Sequence, residues 1–362
     1  MPAEIAEVEP NDAVAKAQPL TVPAMVKGGF LSATGSDTDL YRFESQAGQT
    51  WMIETHAARS GSLADTKVEV LDADGKPVPR ALLQAVRDSY INFRPIDSSQ
   101  LEVRLEYWEE MDLNQFLYMN GEVCKLYRSP RGPDSGFELY QNAGKRRAYF
   151  DTTSTGQAKE QPAYIVEAYP PGAPIVDNGL PIFPLFFIND DDAERELGSD
   201  SRLTFTAPKD GSYLVRVTDS RGFVGDKHTY QLTIRPPRPD FNVAVETMNV
   251  KLPAGSGQRL KFKVDRIDNF NGPVRIEVGN LPAGYHVAQP TVIDAGQLNT
   301  FSVITAAADA QPADKAAWEQ VVVTATAEIG GEAVRKPSGN LGTITLEKPP
   351  MIRVVLIPDD LA

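Results

Sequence analysis

The chain has one cysteine, three histidines and no apolar run long enough to cross a bilayer. Each shortage excludes something. A single thiol, Cys124, rules out an intrachain disulfide and any thiolate metal cluster. It alternates with apolar residues in GEVCKLY, which predicts a buried structural thiol rather than a reactive one. Chains without disulfides usually read as cytosolic, but calcium can replace the stapling function in exported β-proteins. The histidines, His56, His228 and His286, lie far apart in sequence, with no metal-ligand spacing between them. No G-x-S-x-G, H-E-x-x-H or phosphate-binding loop occurs, and the expectation is that the protein is not an enzyme. Basic residues are outnumbered: the net charge of −13 would repel the phosphates of a nucleic acid. No transmembrane segment is expected. The N-terminus MPAEIAEVEPND has neither a basic start nor an apolar core, so it does not read as a signal peptide. The expectation is a mature exported region behind an initiator Met.

What the chain does have is strand pattern. Its 362 residues, 41% hydrophobic, suffice for two or three domains. Apolar residues alternate in DLYRFES, QTWMIET and TKVEVLD, and again in SRLTFTAP, GSYLVRVTD and HTYQLTI. Turn residues separate them, which predicts antiparallel sheet with one face buried. The fold class expected is mainly β. A β-sandwich over 4–76 and 189–235 is interrupted by an aromatic-rich inserted domain over 77–188, either α+β or a small barrel. An Ig-like sandwich follows the proline-rich RPPRPD and covers 240–358, closing with MIRVVLI. Within the insertion, RALLQAVRD (80–88) reads as a helix, with Leu82, Leu83 and Val86 on one side. LYMNGEVCKLY reads as a hairpin turning at Asn120-Gly121.

The acidic stretch EVEPNDA (7–13) precedes the first strand of this pattern. Glu7 and Glu9, two apart, share a face in extended backbone; Asn11 continues it and Asp12 follows. In TGSDTDLY, Asp37 and Asp39 share a face at a strand entrance. Five carboxylates and an amide suit a hard cation such as calcium and suit zinc poorly. The residues alone are also compatible with a capped turn and solvated glutamates.

These segments resemble a known family. Glu-x-Glu-x-Asn-Asp at 7–12, Gly-x-Asp-x-Asp-x-Tyr-x-Phe at 35–43 and Ala-Pro-x-x-Gly-x-Tyr at 207–213 are marks of the bacterial prepeptidase C-terminal (PPC) domain, in that order. The resemblance covers roughly residues 4–76 and 189–235. It implies a β-sandwich of exported proteins, related to the calcium-dependent collagen-binding domains of clostridial collagenases. It also implies Ca2+ ligation by Glu7, Glu9, Asn11, Asp12, Asp37 and Asp39. The insertion is foreign to a minimal PPC domain, so ligand specificity, collagen binding included, is not carried over.

Other residues stay open between two readings. Arg128, Arg131, Arg146 and Arg147 stand near Tyr127 and Tyr140 in the insertion. They suit recognition of anionic sugars, carboxylates or a protein, and equally suit arginine stems covering aromatic rims. Trp108 is either a stacking platform for a sugar or a core residue. The acidic loop INDDDAERELGSD offers a second cation site or a solvated re-entry. The expected function is a calcium-stabilised, non-catalytic binding or adhesion module, secreted or at the cell surface, recognising an extracellular glycan or protein polymer. Membership of a larger surface assembly belongs to the same expectation. The alternatives are a structural spacer and a glycan-directed hydrolase with its site in the insertion, where Glu102, Glu106, Glu109 and Glu110 offer a carboxylate pair but read as a solvated face.

Overall fold

A computed structural model describes residues 2–31, 37–132 and 134–349. The protein is mainly β, as the alternation predicts. Among the described residues the α-helix is Lys315–Glu319, joined by three 3-10 turns. The chain divides into two compact units, 1–236 and 237–362. The expected closing strand MIRVVLI lies outside the described residues.

In the first unit, two five-stranded sheets face each other. One runs in the order Ala3–Ala6, Ala24–Phe30, Thr229–Arg235, Thr50–His56, Arg202–Thr206; the other Ile188–Asn189, Thr66–Asp72, Gly211–Asp219, Asp39–Ser45, Gln18–Pro19. Strands from both ends of this unit's sequence therefore interleave. Their alternate residues meet in one core: Val26, Ile53, Leu203 and Leu232 from the first sheet, Phe43, Val68, Val215 and Val217 from the second. Phe43 packs its ring edge-on to Trp51 and Phe205 at 6.2 and 6.1 Å, a preferred aromatic geometry.

Residues between the two sets of strands form a seven-stranded sheet, in the order Ile182–Phe186, Pro79–Tyr90, Pro162–Tyr169, Phe116–Met119, Glu122–Arg128, Phe137–Leu139, Glu102–Val103. The helix expected over 80–88 is instead part of the strand Pro79–Tyr90. Hydrogen bonding to neighbours on both sides overrides its helix propensity. The misleading spacing has a local cause. Ile165 pairs with Arg87 but Val166 pairs with Ala85, so Val86 is an extra bulged residue that breaks the period of two. The hairpin turns at Asn120 (φ 49°) and Gly121 (φ 90°), the left-handed pair a two-residue loop needs.

One ion pair anchors this sheet. Arg146 and Glu122 are wholly buried and bonded twice, at 2.7 and 2.9 Å. Gln157 and the Thr155 amide satisfy the remaining carboxylate capacity, and the buried Cys124 thiol donates to Glu122 at 3.2 Å. The thiol is structural, and burial pushes its pKa up.

The second unit has two four-stranded sheets: Asp240–Val245, Gly257–Ile267, Asn299–Ala306, Tyr285–Val287, and Thr291–Ile293, Val274–Gly279, Val322–Ile329, Glu332–Pro337. They share a core of Phe241, Phe262 and Ile304 against Ile276, Ile293 and Val323, with Trp318 closing it.

Removing one partner of a buried pair strands the other charge, at a cost of about 3–5 kcal/mol, whereas exposed pairs are worth at most about 1 kcal/mol. Glu122→Ala should therefore destabilise the first unit severely in urea unfolding. Arg128→Ala, which opens the exposed pair with Glu138, should leave the midpoint nearly unchanged.

Candidate metal centre

The N-terminal strand Ala3–Ala6 runs parallel to Ala24–Phe30. The chain leaves that edge with the Glu7 amide donating to the Lys27 carbonyl at 3.3 Å. It then crosses to the other sheet, where the Leu40 amide donates to the Asn11 carbonyl at 3.1 Å. This crossing delivers the acidic segment to the entrance of the strand Asp39–Ser45. One carboxylate oxygen each from Glu7, Glu9 and Asp39 then lies within 4.8 Å of the others. In a shell of ligands at 2.3–2.6 Å from calcium, oxygens on opposite sides of the ion are roughly 5 Å apart, so this spacing fits one ion.

The floor is built from tyrosines. Asp39 and Tyr41 are two apart on one strand, and both are fully buried. Tyr41 Oη donates to Glu7 Oε1 at 2.5 Å and lies 2.6 Å from Tyr230 Oη, which donates to Asp39 Oδ2. A methyl at Gly29, paired with Tyr230 across the sheet, would lie 2.6 Å from that ring, so the absence of a side chain makes room for it. Burial raises the pKa of both tyrosines, so they remain donors.

Two oxygens complete the picture. Asn11 is buried; its amide N–H donates to Glu9 Oε2 at 2.9 Å and its Nδ2 to Glu7 Oε1 at 3.4 Å. Asn11 Oδ1 and Asp39 Oδ1 are both buried with no hydrogen-bond partner. Among the described residues, neither Glu7, Glu9 nor Asp39 is ion-paired with a lysine or arginine. Burial, followed by the nearby charges of Glu7, Asp37 and Glu9, pushes Asp39 up to about 9. Burial and then the Glu9 charge also raise Glu7. A hard cation would supply positive charge for the carboxylates and a partner for the two orphaned oxygens.

The sequence candidates divide accordingly. Glu7, Glu9, Asn11 and Asp39 come together. Asp37 is half-buried beside them and adds to the charge felt by Asp39, while its Oδ1 accepts the Thr38 amide at 2.9 Å. Asp12 is exposed and faces Lys16 at 3.5 Å. Tyr41 and Tyr230 were legible only as core residues of alternating strands; their hydroxyls carry the site.

The remaining candidates are dispersed. Arg146 is the buried partner of Glu122, and Tyr140 is buried with its hydroxyl donating to Asn114 at 2.6 Å. Arg147 pairs with Glu194 at 2.9 Å and Arg128 with Glu138. Tyr127 packs edge-on to Tyr140 at 5.0 Å, Arg131 is exposed, and Trp108 is half-buried against the insertion core. In the second acidic loop, Asp192 accepts three backbone amides, from Glu194, Glu196 and Leu197, and Asp200 accepts those of Ala57 and Ala58. Those two aspartates are structural caps.

No family model and no curated protein matches the chain. Among solved structures, mercury-soaked MopE, described as a copper-binding secreted protein of Methylococcus capsulatus, is similar at 10% identity and TM-score 0.17. The match covers 66% of this chain and 100% of that one. Domains 1–6 of surface layer protein SbsC are similar at 12% identity and TM-score 0.20, over 76% of this chain and 41% of that one. Likenesses this slight carry no argument about fold or function. Among the described residues, no helix is long and apolar enough to cross a membrane.

A carboxyl whose pKa is raised on folding stabilises the fold while protonated, and that stability is lost as pH rises through the folded value. In chelator, the melting temperature should fall between pH 5 and about 9, the value set by Asp39. Asp39→Asn should flatten that fall; scanning fluorimetry across the range checks both.

Proposed function

We propose that this chain is a calcium-stabilised, non-catalytic module of an exported protein that recognises an extracellular glycan or protein polymer. The observation that carries the calcium reading is the pair of orphaned buried oxygens, Asn11 Oδ1 and Asp39 Oδ1, beside three converging carboxylates. Glu7, Glu9, Asn11 and Asp39 would hold the ion, with Asp37 in reserve beside them. The ion would fasten the N-terminal segment across both sheets, stabilising the sandwich where calcium is plentiful. The relationship to PPC domains and the extracellular setting follow from the sequence resemblance. Binding rather than catalysis is supported by the use of three ionisable groups of the insertion, Arg146, Glu122 and Cys124, in one buried structural network.

A hydrolase is the second reading, because Glu106 and Glu109 line one cleft with Asp134. Release of shorter sugars from an oligosaccharide incubated with the protein would favour it over binding alone.

Calcium at about a hundred times its dissociation constant adds about 2.7 kcal/mol, or roughly 5–10 °C in a unit of this size. Wild type should show that rise over chelator. Asp39→Asn should show none, while melting higher than wild type in chelator because a neutral amide replaces the buried acid. Equal calcium responses in both proteins would remove the reading.

A further inference from the structure

In the insertion, the chain segments around Phe93 and Tyr107 flank a cleft of about 410 Å3, within the roughly 300–1,000 Å3 range of small-ligand sites. Phe93 is 62% exposed and Tyr107 50%, and half-buried Trp108 completes the aromatic lining. Exposure of two large rings in one concave site is costly in water unless something covers them.

Their backbones sharpen the point. Phe93 has φ 69° and Tyr107 φ 57°, the left-handed region that a bulky residue enters at a cost and glycine enters freely. Both are held there by cross-links. The Asn92 amide donates to the Arg104 carbonyl at 2.9 Å, the Glu106 amide to the Tyr90 carbonyl at 3.1 Å, and Ile91 bridges Leu105. The backbone that carries both rings is thus fixed before any ligand arrives, which lowers the ordering cost of binding.

The polar lining narrows the ligand. Glu106, Glu109 and Asp134 offer acceptors, and Asn92 Nδ2 orients Glu106 through a 2.6 Å bond. Among the described residues lining the cleft, Arg104 is the cation, and it lies over the Phe93 ring at 4.3 Å from its centroid. A lining with more carboxylates than cations repels uronates and sulfated chains and accepts hydroxyl donors. A smaller adjoining hollow of about 110 Å3 shares Phe93, Arg104 and Asp134 and adds Arg94, Ile96 and Glu102, so the surface continues past one ring's length with carboxylates still outnumbering arginines.

We propose that this cleft binds a neutral glycan chain, whose pyranose faces stack on Phe93 and Tyr107 while hydroxyls donate to Glu106, Glu109 and Asp134. The assignment rests on the reading of the protein as a polymer-binding module and names its ligand class and site.

The test is a glycan array on the full chain in calcium, followed by calorimetric titration with a neutral hexasaccharide that scores on it and with hexagalacturonate. Phe93→Gly and Tyr107→Gly, which relieve the backbone, should each weaken the neutral sugar at least tenfold while the melting temperature holds or rises. A purely structural role for the rings would lower it instead. Unchanged binding in the double variant, tighter binding of hexagalacturonate, no neutral glycan on the array, or a protein ligand bound through the same two rings would each overturn the proposal. Melting with and without calcium, run on the same samples, reports the calcium reading independently of these outcomes. A ligand bound elsewhere would overturn the cleft and leave the polymer-binding reading intact.

Discussion

A buried carboxylate needs a cation or a proton, and Asp39 sits where the described side chains bring it no cation. The rest of the N-terminal architecture turns on that constraint. The first residues join the edge of one sheet, yet Asn11 reaches the other through its carbonyl. The segment between them carries Glu7 and Glu9 over a floor of two tyrosine hydroxyls. Hydrogen bonds from Tyr41 and Tyr230 favour the ionised carboxylates, and burial opposes them; burial is the larger influence. Without a cation, burial favours the protonated acid at Asp39. A divalent ion would resolve the conflict by taking the place of that proton and giving the orphaned oxygens a partner.

Much of this was legible in the sequence, for identifiable reasons. Spacing of two put Glu7 and Glu9 on one face, and the structure brings both to Asp39. Alternation found the sandwich strands from Asp39–Ser45 to Thr229–Arg235, each half-buried on a shared core. What alternation could not give was the use of a core hydroxyl. Tyr41 and Phe43 look alike in the pattern, but only the tyrosine reaches the acidic segment. Pattern also failed where a bulge shifted its phase: Val86 turned a strand into an apparent amphipathic helix.

The arginines of the insertion show the opposite limit. Charge and nearby aromatics made Arg146 look like a ligand contact, whereas the fold buries it against Glu122. Among the large apolar side chains that the insertion leaves exposed, Phe93 and Tyr107 line one cleft. No local motif marks them, since their cleft forms only when the bridge between Ile91 and Leu105 brings two distant turns together. A polymer-binding module of this design would keep its stabilising ion and its recognition surface in separate parts of the first unit, so that each can fail alone.

The most direct test of the central claim is proton release on calcium binding, measured by titration calorimetry at pH 7 in two buffers of different ionisation enthalpy. With Asp39 held at about 9 in the free protein, calcium should bind and expel close to one proton, and Asp39→Asn should abolish the buffer dependence. Calcium binding with no proton released, or no binding at all, would contradict the account.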